Sequence, residues 1–285
     1  MKRLLQSPGI NIFRYLTKHF TVRFFNNDVL KFENESRERT VIMMVMLGVA
    51  GLYITHIQLR DYLMPIFFNA DAELIWKKRT IILTLSMALT GIVSVLNWEN
   101  IYPDKKDYVN IMPLPVSRGM FFVSKSASLM LFVLFVSTAF NAASVFQFPY
   151  YLEKYITVNL IYYAVIHFIV AFLANLFVFL TVAAIQGIFT VLFRNRLFIK
   201  LANLLQVVLL VGFIAVIVWM PQVTKALTGA RENLTPFFYQ YPPGWFSGLN
   251  EMLVTADPVI FYPLAGNLAM AFCGVLAIFL ISVPL

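Results

Sequence analysis

Apolar runs of about twenty residues alternate with short polar, charged or proline-marked stretches along most of this 285-residue chain. Such a run, as a helix rising about 1.5 Å per residue, matches the roughly 30 Å hydrocarbon layer of a bilayer. Six spans are predicted, at about 41–59, 80–98, 120–146, 160–193, 197–220 and 264–285. The first is near the lower length limit, and His56 and Gln58 stand at its outer end. The third is rich in Ser, Thr and Ala between Ser124 and Ser144, which permits close helix approach in lipid. Pro149 is expected to break it and begin an external turn. Nothing between 156 and 193 supplies a turn, so a single long fourth crossing is expected there. Its polar positions are Asn159, His167, Asn175 and Gln186. Such side chains hydrogen-bond neighbouring helices or line a pathway; Asn175 and Gln186 are the two candidates, with the interhelix role the commoner.

The pattern therefore predicts an all-α, polytopic transmembrane helical bundle, divided into an N-terminal segment (1–40) and a transmembrane domain (41–285). Within the N-terminal segment Ile10, Phe13, Leu16, Phe20 and Phe24 recur at helical spacing, while Arg14, Lys18 and Arg23 lie mostly off that stripe. An amphipathic helix at the bilayer interface is expected, with packing against the rest of the protein as the alternative. The proline-broken, aromatic segment 221–263 is expected outside, its short helices at the interface with Trp245 and Phe246 as anchors.

Composition agrees: 60% of residues are hydrophobic and 13% charged, with a mean hydropathy of +0.77, more apolar surface than one soluble core can hide. The net charge of +8 then reports orientation and contact with anionic lipid rather than nucleic-acid binding. Lys2, Arg3, Arg14, Lys18, Arg23, Lys31, Arg37 and Arg39 place the N-terminus in the cytoplasm. They also interrupt the opening residues too often for the apolar region of a cleavable signal peptide. Lys77, Lys78 and Arg79 run against that orientation, because they fall in a loop assigned to the outside. The single Cys273 excludes an internal disulfide and lies in a span, where a buried inert thiol is expected.

The most polar interruption between two apolar runs is 97–125. Pro103 suits the first position of a helix, and Asp104 and Asp107 would meet the positive end of its dipole. A short helix over 103–112 is predicted, stopped by Pro113 and Pro115, each of which forces its preceding residue out of the helical region. Ser117 is the expected N-cap of the next helix, although Met120 stands where a capping box would have an acid. Lys125, two turns in, is expected to snorkel to water. Trp98 suits the headgroup belt.

The pair Trp98-Glu99, the run Tyr102-Pro103-Asp104-Lys105-Lys106-Asp107, the step Pro113-Leu114-Pro115-Val116 and Lys125 together resemble the permease subunit of type-2 ABC transporters. Two mild departures are lysines where the family uses arginines after Pro-Asp, and Met112 in place of leucine. The resemblance is specific over about 76–132, and Tyr241-Pro242-Pro243-Gly244-Trp245 is similar to the external segment preceding the sixth span of these permeases. It implies that the loop is a cytoplasmic coupling helix seated in a cleft of a separate ATP-hydrolysing subunit. Tyr102, Asp104, Lys105, Lys106 and Asp107 would touch that subunit, and Pro103, Pro113, Leu114 and Pro115 would shape and stiffen the loop. It further implies an exporter in a bacterial inner membrane, working with a second permease copy or a second half. The apolar C-terminal end without a basic flank is what a shortened reading frame would leave.

No phosphate-binding Gly-x-x-x-x-Gly-Lys-Ser/Thr run is present, so ATP and Mg are expected on the partner and no cofactor on this chain. His19, His56 and His167 fall in separate segments without metal-ligand spacing, and no catalytic or metal-binding residue is assigned. The alternative from another class is a non-transporting membrane scaffold or assembly factor whose loop binds some other cytoplasmic protein.

Overall fold

The structure, a computed structural model, describes residues 8–25, 36–63, 72–102, 116–152, 159–192, 197–227, 239–254 and 262–282. These residues form ten helices and no strand: α1 (Pro8–Phe25), α2 (Ser36–Leu63), α3 (Ala72–Leu96), α4 (Trp98–Ile101), α5 (Arg118–Leu152), α6 (Leu160–Leu192), α7 (Leu197–Val218), α8 (Met220–Ala226), α9 (Pro242–Val254) and α10 (Tyr262–Ser282). Five of them, α3, α5, α6, α7 and α10, are long and apolar enough to cross a membrane, and the protein is a multi-pass integral membrane protein. The predicted first span differs from the other five. It lies within α2, whose described apolar stretch, Val45–Ile57, is shorter than a crossing needs.

Helix α6 is the centre of the bundle, flanked by α3, α5, α9 and α10, while α2 lies along α5. Packing is close where the sequence permits it. A Cβ added at Gly51 of α2 would collide with the backbone of Phe140 on α5, so glycine is what lets these two helices touch. At 35 residues, α5 is about 50 Å long and exceeds the hydrocarbon thickness. Its first turns carry α1, whose Leu16 and Phe20 pack on Phe121. Thus part of the N-terminal apolar stripe meets protein, while Arg14, Tyr15 and Lys18 face outward.

Three local expectations are corrected. Helix α5 does not break at Pro149 but continues to Leu152; a proline in the last turn forfeits a single backbone hydrogen bond, which a helix end tolerates. Segment 239–254 is not an interfacial strip. Tyr241 bonds Thr84, eight residues and about 12 Å along α3 from Trp76, so the chain re-enters the bundle there and α9 leads back out. Backbone at that depth survives only when covered by protein, and α9 packs on α3, α6 and α10. Phe246 is consequently fully buried against Phe177 rather than anchoring in headgroups, and Trp245 leans on the same ring. Cys273, finally, is exposed on the outer face of α10 and not buried.

Candidate functional site

Three polar assemblies stand out among the described residues of the bundle, and each involves α3. Thr80, Thr84, Ser86, Thr90 and Ser94 recur along α3 and are all buried. Thr80, Thr84 and Ser94 return their hydroxyls to backbone carbonyls four residues earlier, the standard way a membrane helix conceals a hydroxyl. Ser86 and Thr90 reach across instead.

The first assembly is a seam joining α3, α5 and α6 around Asn175, which is fully buried. Ser86 Oγ and Thr90 Oγ1 donate to Asn175 Oδ1 at 3.1 and 3.0 Å, and Asn175 Nδ2 donates to Ser137 Oγ at 2.8 Å. Asn141 Nδ2 donates to Ser86 Oγ at 2.8 Å, extending the seam along α5. Farther along, His167 Nε2 and Ser144 Oγ lie 3.1 Å apart. The serine, threonine and asparagine groups around Asn175 carry no charge, so this part of the seam holds three helices in register by paired donors and acceptors.

The second assembly is charged and stands at the end where α3 and α6 begin. Arg79 Nη1 pairs with Glu251 of α9, and Nη2 donates to the Tyr163 hydroxyl of α6. The guanidinium also lies over the Tyr163 ring, 5.3 Å from its centroid. Both charged side chains are almost wholly buried, at 2% and 6% exposure. Sequence reasoning missed this pair because Arg79 follows Lys77 and Lys78 and reads as the end of a surface cluster. The available signal was periodicity: Arg79, Leu83, Ser86 and Thr90 share one helical face, the buried one. With Arg79 paired inside, the Lys77-Lys78-Arg79 cluster is no longer a run of three solvated cations.

The third assembly knits the opposite end, where α3 leads into the loop. A helix terminus leaves carbonyls without intrahelical partners; here side chains of α6 and α7 reach two carbonyls, and Asn97 adds a second donor to Val93 O, which its own backbone N–H already meets at 3.1 Å. Asn97 Nδ2 donates to Val93 O at 2.9 Å, Gln206 Nε2 of α7 to Val95 O at 3.0 Å, and Gln186 Nε2 of α6 to Trp98 O at 2.9 Å. Tyr102 then donates its hydroxyl to Ala183 O of α6 at 2.9 Å and meets Ser282 Oγ of α10 at 2.8 Å. Burial raises the Tyr102 phenol above its ordinary pKa, against a smaller opposing effect of the Ser282 hydrogen bond. Gly187 makes the contact possible, because a Cβ there would collide with both the Tyr102 hydroxyl and Ser282.

Trp98 is buried among Val95, Phe132 and Phe179 and does not reach a headgroup belt. On the far side of the loop Ser117 caps α5, its Oγ accepting from Met120 N at 3.2 Å. Lys125 does not snorkel; it is 4% exposed, with its ammonium 4.8 Å from the centroid of Phe20 on α1. Asn159, expected as a polar position of the span, caps α6 through Ile161 N at 2.9 Å. The proposed docking residues Pro103, Asp104, Lys105, Lys106, Asp107, Pro113, Leu114 and Pro115, and the short helix over 103–112, lie outside the described residues.

Among the described residues no cluster of three or more His, Cys, Asp or Glu side chains could hold a metal ion. Comparison with protein-family models, curated proteins and solved structures returns no match.

Proposed function

We propose that this chain is the membrane-spanning permease subunit of an ATP-driven exporter of the type-2 ABC class, acting beside a second copy or second half. ATP hydrolysis belongs to a separate subunit that docks on the loop from Tyr102 to Pro115, with the N-terminus and this loop on the cytoplasmic side of a bacterial inner membrane. The observation that carries this reading is the anchoring of the loop's two ends. Its start is tied by the Tyr102 hydroxyl to α6 and α10, the chain just before it is held by Gln186 of α6 and Gln206 of α7, and beyond its exit stand the Ser117 cap and the Lys125–Phe20 contact. A push delivered to such a loop moves several helices together, which is the mechanical requirement of a lever. The motif residues quoted above supply the identity of the partner.

The test is purification from the native membrane with mild detergent, beside a variant in which Asp104, Lys105, Lys106 and Asp107 become glycine and serine. A P-loop ATPase that accompanies the unaltered chain and is lost from the variant is the expected result. Preparations free of any ATPase in both cases would overturn the reading in favour of a scaffold. A second arm replaces Pro113 and Pro115 by alanine in the reconstituted complex; ATP hydrolysis persists and transport is lost if the rigid exit transmits the motion.

A further inference from the structure

A cavity of about 370 Å³ lies between α3, α6 and α7, closed at one end by Tyr241, Pro242 and Pro243 where the chain re-enters the bundle. Its position on α3, at Thr84, Met87 and Ala88, is near the middle of the Trp76–Leu96 span. Helix α7 leans chiefly on α3 and touches α6 only sparsely, so the cleft between α6 and α7 faces the surrounding bilayer.

The chemistry of the wall narrows the occupant. Three hydroxyls border the cavity, and all are engaged elsewhere. Thr181 Oγ1 donates to Phe177 O at 2.7 Å, Thr84 Oγ1 donates to Thr80 O at 2.8 Å, and the Tyr241 hydroxyl meets Thr84 Oγ1 at 2.6 Å. The wall therefore presents no polar surface, and carbon atoms of Met87, Ala88, Val178, Phe213 and Val216 make up much of the rest. Water needs two to four hydrogen-bonding partners to settle in a cavity, and none is on offer. An empty space of this size would leave its lining side chains without dispersion contacts on one side. The adjoining solvent is hydrocarbon. The volume falls at the small end of the roughly 300–1,000 Å³ spanned by ligand pockets, which suits part of a single acyl chain and is too little for a whole lipid.

We propose that this cavity binds one acyl chain of a membrane phospholipid, inserted sideways through the cleft between α6 and α7 with its headgroup left outside. The site is independent of the exporter reading, since it requires only that α3, α6 and α7 lie in a bilayer.

The experiment uses the full chain in phosphatidylcholine nanodiscs doped with a phosphatidylcholine that carries a diazirine midway along one acyl chain. After irradiation, adducts are mapped by mass spectrometry. Adducts on Met87, Val178 or Phe213 are expected, besides those on the lipid-facing Val207 and Val208 of α7. Ala88→Phe, which fills the cavity from α3, abolishes the inner adducts and leaves those on Val207 and Val208 as an internal standard for folding. Val216→Trp, filling it from α7, does the same should the first variant fail to fold. Absence of inner adducts in the unaltered protein, or their persistence in both filled variants, overturns the proposal. So does inner labelling by a free diazirine fatty acid but not by the phospholipid, which would make the ligand a free acid.

Discussion

Helices α3 and α7 lie side by side and obey opposite rules. The mean hydropathy of α3 is 1.8 over its crossing and that of α7 is 2.7, yet 78% of the α3 window is buried and only 6% of the α7 window. In water the more apolar helix would be inside. In lipid the surroundings are as apolar as leucine, so hydrophobicity decides whether a helix crosses and leaves its orientation open. Polar groups decide that. Helix α3 carries Arg79, Thr84, Ser86 and Thr90 inward because each finds a partner there, whereas α7 sends Gln206 to Val95 and otherwise faces the bilayer with Val207, Val208 and Val211.

The largest test of this contrast is to remove one partner of the buried ion pair. Arg79→Ala or Glu251→Ala strands a charge, at a cost of about 3–5 kcal/mol. The expectation is loss of monodisperse protein in detergent, or a strongly lowered thermal midpoint. Asn203→Ala, a polar residue on the exposed face of α7, changes neither. Replacing Arg79 and Glu251 together by methionine recovers most of the loss, since an apolar pair of similar volume needs no partner. If the double variant is no better than the singles, the pair is held for something besides cohesion.

Glycine gives the next measure. Gly187 and Gly212 both sit inside apolar helices, but a Cβ at the first would strike Tyr102 and Ser282, while nothing stands within 4 Å of the second. Gly187→Ala forces the start of the loop away from α6 and α10 and costs about 1–3 kcal/mol, as overpacking does. Gly212→Ala is neutral or stabilising by up to about 1 kcal/mol, from helix propensity alone. Thermal unfolding of the two single variants in one detergent checks both signs.

Asn175→Ala is a smaller perturbation, because hydrogen bonds between membrane helices are worth about 1–2 kcal/mol and often less. It leaves Ser86, Thr90 and Ser137 short of a common partner. A thermal midpoint equal to that of the unaltered protein would show that water or a rearranged seam replaces the amide.

How much of this was legible beforehand follows from the same physics. Five spans could be read from length and apolarity, which is the property a bilayer selects, and Ser117 was identifiable as a cap because capping is local. The inward face of α3 was hidden by its own sequence context, since Arg79 continues a basic run and its partner Glu251 lies 172 positions away. Pairing at that separation leaves no mark in a window of twenty residues. The same holds for Lys125, whose cover comes from Phe20 of α1, and for Phe246, which reads as an interfacial aromatic until α6 and its Phe177 are placed beneath it. In the fourth span the polar residues were visible as such. Which end of α6 each one served depended on neighbours: Asn159 caps the helix, Asn175 faces two others, and Gln186 closes the end of α3.

The smallest effect concerns the floor of the apolar cavity, where α3 meets the re-entering chain. Burial pushes the Tyr241 phenol up to about 12, while its hydrogen bond with Thr84 acts weakly the other way. An unfolded tyrosine titrates near 10. The folded state therefore favours the neutral phenol, its contribution is intact below about pH 10, and it is lost as the pH rises toward the folded value. Tyr241→Phe keeps the ring and removes the hydroxyl, so about 0.5–1.5 kcal/mol should be lost at neutral pH, and the variant should lack the alkaline component that the unaltered protein shows. Ultraviolet titration of the phenolate, taken as a difference between the two proteins, isolates this one tyrosine. A difference spectrum that develops near pH 10 would mean that the segment swings out of the bundle and that Thr84 is reached only part of the time, leaving the cavity without its floor.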